Sequence, residues 1–170
     1  MPELGYWRIS IALPENRDNK GTLYLYDPDG QNTFICECLG RGSNHEDNDF
    51  DHTDWWKTNA DTPTGVYSGS IIPPASDTAA YGPYKRVNMV ACYEEDHADI
   101  AAHSGYFRSG IQIHGGREGR STPDQPWYPL WPTYGCIRVS NDNQNTIISL
   151  IESYEGTGKV EVKGLQKDKS

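Results

Sequence analysis

The chain has 170 residues, 35% of them hydrophobic and 11% aromatic, with a formal net charge of −9. This length suits one domain with a single core. The acidic excess argues against a nucleic-acid partner, because phosphates require a basic footprint. Apolar runs are too short to span a bilayer. The first residues lack the charged and then apolar pattern of a signal peptide, so none is expected in this chain.

Positive charge is concentrated in one part of this acidic chain. Residues 104–141 contain four arginines but only two acidic side chains. The excess is either fortuitous or marks a local site for ligands that carry carboxylates, since electrostatic attraction acts over a short range at physiological salt. The arginines are Arg108, Arg117, Arg120 and Arg138.

The first part of the chain is typical of strands joined by turns. Residues 7–13 and 22–26 are predicted strands. The sequence Asp27-Pro28-Asp29-Gly30 is a strong turn signal, because proline fixes one dihedral angle and glycine permits a positive φ. Residues 32–39 are therefore predicted to form the return strand of a hairpin.

Four cysteines raise the question of a zinc site or disulfides. Cys36 and Cys38 lie two apart in an extended segment and share one face of it. Their spacing does not match a zinc knuckle, and no second pair follows. If Cys136 is a nucleophile, three thiols remain and cannot all pair. We therefore expect Cys36, Cys38 and Cys92 to be buried structural thiols, and we expect no metal or other cofactor.

The stretch 43–61 is polar and acidic and is predicted to be a long surface loop. Asp47, Asp49 and Asp51 alternate as calcium ligands do. The glycine and the acidic residue of a calcium loop are replaced by His52 and Thr58, so a solvated loop is favoured and calcium stays open.

The remainder predicts one mainly β domain over residues 1–165, followed by a frayed tail at 166–170. Its convincing helix begins near Asn141, which would serve as N-cap with Gln144 three residues later, and ends before Gly156. The other predicted elements are a turn and strand from residue 61, a loop at 71–82, strands at 84–93, 110–114 and 159–163, a short helix at 94–103, and an irregular proline-rich segment at 121–132.

Two residues have the chemistry of a nucleophile and its base. His114 ends a predicted strand and Cys136 lies in a predicted turn, each next to glycine. A catalytic thiol needs a base within hydrogen-bond reach, and imidazole is suited to that task near neutral pH. Backbone N–H groups of Gly135 and Cys136 would stabilise an oxyanion, and the carbonyl of Gly115 would orient the imidazole. The residues alone leave a packed thiol open as the alternative.

The spacing of these residues resembles a family signature. In YkuD-type L,D-transpeptidases, a strand-borne histidine precedes a Ser/Thr-His-Gly-Cys turn by some fifteen to twenty residues. Here eighteen residues separate His114 from Thr133. The resemblance covers about residues 7–162 and implies a YkuD-like β-sandwich with short helices, including one after the cysteine turn. The segments that carry it are Ile113-His114-Gly115 and Thr133-Tyr134-Gly135-Cys136-Ile137-Arg138.

The resemblance implies a cysteine acyl-transferase of peptidoglycan. Cys136 would attack the tetrapeptide stem and release D-alanine, with His114 as base and the Gly115 carbonyl as its orienting group. An amine would then accept the acyl group, giving a crosslink or an exchanged D-amino acid, or water would accept it, as in an L,D-carboxypeptidase. The oxyanion hole would comprise the amides of Tyr134, Gly135 and Cys136, and substrate contacts would come from Arg138, Thr133 and Gly116. Arg138 would alternatively hold the turn together.

One residue departs from the family pattern. Tyr134 stands where the family usually has a second histidine. A tyrosine can hydrogen-bond, but it does not accept and pass on a proton near neutral pH as a histidine does. Divergent members include secreted antibacterial effectors, which would have an immunity protein as partner. Two alternatives therefore stand beside a wall enzyme: an interbacterial toxin with the same chemistry, and a non-catalytic wall-binding module. Each implies a periplasmic or extracellular site of action.

Overall fold

The computed structural model of the chain describes residues 5–42, 51–105, 107–154 and 156–169. Eight strands form one sheet in the order β3-β2-β1-β8-β4-β5-β6-β7. The strands are β1 (Arg8–Ala12), β2 (Gly21–Tyr26), β3 (Asn32–Cys38), β4 (Gly65–Ile72), β5 (Arg86–Ala91), β6 (Ile111–His114), β7 (Ile137–Arg138) and β8 (Gly158–Lys163). The helices are α1 (Thr78–Tyr81), α2 (His97–Ala102) and α3 (Asn141–Tyr154).

The two ends of the sheet approach one another. Leu39, just after β3, forms an antiparallel bridge with Arg138 of β7. Most neighbouring strands are antiparallel, whereas β1–β8 and β6–β7 are parallel. The mainly β class is therefore confirmed. The strands form a single sheet that nearly closes on itself, and the finer expectation of a YkuD-like β-sandwich stays a prediction.

The core fills the apolar face of this sheet. Side chains alternate along each strand, so every second residue points inward. Helix α3 adds three isoleucines to the same core. Burying side chains of this size stabilises the fold by roughly 1.5–3 kcal/mol each. The fully buried aliphatic members are Ile9, Ile11, Leu23, Leu25, Ile137, Val139, Ile151 and Val160.

The segment 51–62 differs from the expected solvated loop. Trp55 and Trp56 are buried and pack with Ala101 of α2 in a second small core. Asp51 accepts hydrogen bonds from the backbone and the hydroxyl of Thr53. Asp47 and Asp49 lie outside the described residues. Among the residues that are described, no group of acidic, histidine or cysteine side chains is arranged to hold a metal ion.

The C-terminal segment is attached rather than frayed at two positions. The Gln166 side chain donates to the carbonyl of Thr62 and accepts the amide of Thr64, both at 2.9 Å. The Lys167 carbonyl accepts the indole N–H of Trp55 at 2.8 Å. These hydrogen bonds connect the C-terminal segment to residues 55–64.

Three local predictions need correction. Cys92 is exposed, although Cys36 and Cys38 are buried as expected; all four cysteines are free thiols. A short helix, α1, interrupts the predicted loop at 71–82. The N-terminal cap of α3 is Ser140, whose hydroxyl accepts the amide of Asn143 at 3.1 Å. The Asn141 side chain instead accepts the amide of Gly116.

Within the described ranges, no helix is long and apolar enough to cross a membrane.

Candidate active site

Two parallel strands bring His114 and Cys136 to one face of the sheet. In the register between β6 and β7, Ile113 pairs with Ile137. Cys136 directly precedes this pair and His114 directly follows it. Because side chains alternate, both residues lie on the face opposite the two core isoleucines. The register therefore brings the predicted nucleophile and base close to one another at one end of β6 and β7.

His114 is buried, with 2% of its surface exposed. Its Nδ1 lies 2.7 Å from the carbonyl oxygen of Gly115. A carbonyl only accepts hydrogen bonds, so Nδ1 carries the proton and Nε2 has the free lone pair. Burial and, to a lesser extent, the positive charge of Arg138 together lower the pKa of His114 to about 3, although the bond to Gly115 opposes the shift. The imidazole is thus neutral over the physiological range.

The Cys136 thiol is also buried, and it hydrogen-bonds to the carbonyl of Gly110 at 3.4 Å. Burial raises the pKa of Cys136, while a backbone hydrogen bond from Gln112 and the charge of Arg138 oppose the rise. No hydrogen bond joins this thiol to the His114 imidazole in the described part of the chain. At rest the arrangement is therefore a neutral thiol beside a neutral imidazole.

The turn before Cys136 is held by two threonine hydroxyls. Thr133 Oγ1 donates to the Cys136 carbonyl at 2.8 Å and accepts the amide of Gly135 at 3.0 Å. Thr62 Oγ1 donates to the Gly135 carbonyl at 2.7 Å. Thr133 was expected to contact substrate, but it is buried and both hydrogen-bonding functions of its hydroxyl serve the turn.

The expected oxyanion hole is only partly available. The Gly135 amide is occupied by Thr133, whereas the Cys136 amide has no acceptor among the described residues. Tyr134 places its side chain outside, with 57% exposed. The Cys136 amide is therefore the main backbone donor for a developing oxyanion.

Arg138 acts as a buried structural cation. Its guanidinium donates to the carbonyls of Trp131 at 2.9 Å, Ala80 at 2.8 Å and Gly115. Burial lowers its pKa to about 10, and the side chain remains charged. Since these donors are engaged by the backbone, the residue holds the site together instead of meeting a substrate carboxylate, the other role considered for it.

Gly116 also has a packing role. A side chain there would collide with the carbonyl of Ala80, and its φ is 100°. Its amide donates to the Asn141 side chain at 2.8 Å. Gly116 lines a cavity, and this is the one feature of its surroundings that fits the expected contact with substrate.

Two further arginines belong to the site and carry no motif signal. Arg108 donates to the carbonyls of Trp55 at 2.6 Å and Ala60 at 3.2 Å. Gly135 packs directly on this guanidinium, because a Cβ there would clash with it. Arg86 donates to the Gln112 side chain at 2.8 Å. Both arginines favour the thiolate form of Cys136. Sequence alone marked Arg108 only as one of several local cations.

A cleft of about 590 Å³ is lined by two residues that contact the cysteine turn, Arg108 and Gly110, although neither Cys136 nor His114 is among its described lining residues. Gly110, whose carbonyl accepts from Cys136, forms part of its wall. Phe107 lines the cleft with 69% of its surface exposed. Asn88 lies across the sheet from Gln112 and adds a polar group. The cleft is large enough for part of a peptide and has both apolar and polar walls.

Comparisons with known proteins yield fold neighbours only. No family model matches the chain, and no curated protein sequence matches it. The helical cell shape determining protein Pgp2 from Campylobacter jejuni superposes with a TM-score of 0.52 at 18% identity, and a mutant of it with 0.51 at 18%. Each covers 95% of this chain and 49% of that chain. Bd1075 of Bdellovibrio bacteriovorus is similar over 92% of this chain and 48% of its own, with 17% identity and a TM-score of 0.49.

The chain spans about half the length of these neighbours. At this level of identity the similarity concerns architecture and does not carry an activity. Nearly all of the chain has the fold found in part of the helical cell shape determining protein Pgp2.

Proposed function

We propose that the chain is a divergent YkuD-type L,D-transpeptidase that transfers acyl groups from peptidoglycan tetrapeptide stems through Cys136. The observation that carries the proposal is the state of His114. Its Nδ1 is fixed on Gly115 and its imidazole is neutral, which leaves Nε2 as a base on the face that carries the thiol. The fold likeness to a cell-shape determining protein supports a cell-wall substrate.

The first half-reaction forms a thioester. The Cys136 sulfur attacks the carbonyl carbon before the terminal D-alanine, while the thiol proton moves to Nε2 of His114. The Cys136 amide stabilises the oxyanion. When the carbon–nitrogen bond breaks, His114 returns the proton to the departing amine of D-alanine. Because both partners are neutral at rest, proton transfer accompanies attack and does not precede it.

The second half-reaction releases the acyl group. An amine or a water molecule attacks the thioester carbon and gives a proton to His114, and the sulfur leaves and is reprotonated. An amine yields a crosslink or an exchanged D-amino acid, and water yields a tripeptide. Tyr134 is exposed and stands where the family usually has a histidine, so this chain lacks the imidazole that family members have at that position. We therefore place water among the acceptors.

This proposal locates the action outside the cytoplasmic membrane, where peptidoglycan is found. The same chemistry delivered into a rival cell would make the chain an antibacterial effector with an immunity protein as partner. Toxicity that appears only when the chain is directed to the periplasm, and that a protein encoded nearby suppresses, would identify this use.

A tetrapeptide muropeptide assay tests the activity. The wild type is incubated with the purified muropeptide, with and without an added D-amino acid, and the products are resolved by mass spectrometry. We expect loss of D-alanine, dimer formation or exchange, none of it in Cys136→Ala or His114→Ala. Cys92→Ala, which removes an exposed thiol, is the matched control and should keep full activity. Product that persists in Cys136→Ala would overturn the mechanism.

A further inference from the structure

A second cavity, of about 320 Å³, opens next to the candidate active site. One wall is the start of α1, and another is the turn that follows Gly116. Gly116 is only two residues beyond His114, so this cavity borders the backbone that orients the proposed base. The lining residues are Thr78, Ala79, Gly116, Arg117, Glu118, Arg120 and Asn141.

Two guanidinium groups of this cavity are not engaged by the protein backbone. Among the described residues, the side chains of Arg117 and Arg120 have neither a hydrogen-bond acceptor nor an ion-pair partner. Arg120 lies over the ring of Trp131, 5.4 Å from its centroid, which leaves the N–H edge of the guanidinium available. The other two arginines of the basic stretch, Arg108 and Arg138, are buried on carbonyls. Of the four arginines in this stretch, the pair therefore supplies the two guanidinium groups that remain available to a ligand.

The turn that presents the pair is fixed by the backbone. The Arg117 amide donates to the Ala79 carbonyl at 2.7 Å, and the Arg120 amide donates to the Arg117 carbonyl at 3.2 Å. Arg117 has a φ of 55°, a left-handed conformation that residues with a Cβ adopt less readily than glycine does. Its charge is felt at Arg138, where it lowers the pKa of that group. The cation is thus held close to the site at a conformational cost.

Among the described residues that line the cavity, Glu118 is the one carboxylate, and it is already used. Its Oε1 accepts the amide of Asn141 at 2.9 Å, at the beginning of α3. The cavity therefore keeps an excess of one positive charge. Guanidinium groups bind carboxylates through paired N–H donors, and such charge-assisted bonds are stronger than neutral ones.

We propose that Arg117 and Arg120 bind a carboxylate of the stem peptide and thereby set the substrate preference of the enzyme. This inference rests on the proposed function, which supplies a peptide with carboxylates besides that of D-alanine. The pair contributes to substrate affinity and does not take part in proton transfer, because Arg138 and Gly115 separate it from the imidazole.

The test compares two peptides and three variants. One peptide is the tetrapeptide stem with free carboxylates, and the other has every carboxylate except that of D-alanine converted to an amide. The variants are Arg117→Gln, Arg120→Gln and Arg8→Gln; Arg8 is a control guanidinium that lies over Tyr26 on the far side of the sheet. We expect each of the first two variants to raise KM for the free acid by about tenfold or more, with kcat nearly unchanged. Neither variant should change KM for the amide, and Arg8→Gln should leave KM unchanged for both peptides.

Binding measured without turnover separates this inference from the proposed function. Calorimetry with Cys136→Ala and the free-acid peptide should give a Kd that weakens about tenfold or more when Arg117→Gln is added. Turnover by the wild type without any arginine dependence would overturn the carboxylate site and leave the function standing. Arginine-dependent binding without any turnover by the wild type would overturn the function and leave the site standing. Equal losses on the acid and the amide would also overturn the site.

Discussion

His114 and Arg138 face each other across β6 and β7, and their side chains donate to the same oxygen, the carbonyl of Gly115. A permanently charged residue thus helps to fix the acceptor that orients the proposed base. Burial is the main reason that the pKa of His114 is lowered, and the positive charge of Arg138 adds to this effect. One buried guanidinium thus helps to set both the position and the protonation state of the imidazole.

Replacement of Arg138 by glutamine should change both stability and titration. The variant loses the charge-assisted bonds to Ala80, Trp131 and Gly115, so we expect the free energy of unfolding to fall by about 3 kcal/mol. The pKa of His114 should rise, because a nearby positive charge is removed. Urea denaturation measures the first effect and NMR titration of the imidazole measures the second.

Arg8→Gln is the control for this substitution, since Arg8 lies over Tyr26 and far from β7 along the sheet. It should leave the pKa of His114 unchanged. An Arg138→Gln protein with wild-type stability would contradict the structural role given to the guanidinium.

The buried neutral state of His114 predicts a loss of stability in acid. In the unfolded chain this residue takes up a proton near pH 6.5, whereas in the folded protein its pKa is about 3. Between these values the unfolded state binds more protons, so the free energy of unfolding decreases as the pH falls from 6.5 towards 3. The contribution is on the order of a few kcal/mol. Urea denaturation at intervals of pH should show the decline.

The matched variants for this titration are His114→Asn and His103→Asn. His103 is exposed on the C-terminal side of α2, with 77% of its side chain accessible. His114→Asn should reduce the change in the free energy of unfolding between pH 6.5 and 4, and His103→Asn should leave that change as in the wild type. If both retain the wild-type slope, His114 is not the group responsible.

The sequence was informative where local chemistry decides the structure. The Asp27–Gly30 turn and the alternation around Ile113 both follow from short-range patterns. The bond from His114 to Gly115 was also expected, and it is present. These features depend on residues that are close in the chain or paired in one sheet.

What could not be predicted depends on contacts between distant segments. Gly135 packs on Arg108, and Thr62 binds the Gly135 carbonyl across 73 residues. The rings of Trp55 and His97 stack with their centroids 3.9 Å apart. This contact buries part of the polar stretch 43–61. No periodicity or spacing encodes such contacts, because they arise from how the sheet closes. The division of four arginines into two buried and two available ones has the same origin.

The resting thiol should react slowly with alkylating reagents. Cys136 is buried, its pKa is raised by burial, and it has no hydrogen bond to the imidazole. At pH 7 we expect iodoacetamide to modify exposed Cys92 first and Cys136 more slowly, as judged by peptide mass mapping. His114→Ala should change the rate at Cys136 by less than about twofold, because the two groups form no ion pair at rest.

An internal reference is available, since Cys38 is completely buried and its pKa is also raised by burial. It should be modified only on unfolding. Alkylation of Cys136 ahead of Cys92, with a rate that collapses in His114→Ala, would instead reveal a thiolate–imidazolium pair.

Gln144 connects the first turn of α3 to the end of α1, where the Tyr81 ring packs against His114, and to the segment that follows it. Its Nε2 donates to the carbonyls of Tyr81 at 3.0 Å, Tyr84 at 3.3 Å and Lys85 at 3.1 Å, and the residue is 1% exposed. The Tyr81 ring lies 4.7 Å from the imidazole. A change at Gln144 should therefore affect both the fold and the surroundings of the base.

Gln144→Glu should destabilise the protein more than Gln144→Met does. Methionine leaves carbonyls without a donor, at a cost of about 1–3 kcal/mol, whereas glutamate also places a buried negative charge against them. Protonation converts the carboxyl group into a donor, so the deficit of Gln144→Glu relative to the wild type should shrink as the pH falls towards 4. Urea denaturation at pH 7 and pH 4 measures both effects. Gln31→Glu, on the exposed hairpin, is the control and should leave the free energy of unfolding unchanged at both pH values. A similar loss of stability in Gln31→Glu would show that the buried amide is not the cause. So would a loss in Gln144→Glu that becomes larger in acid.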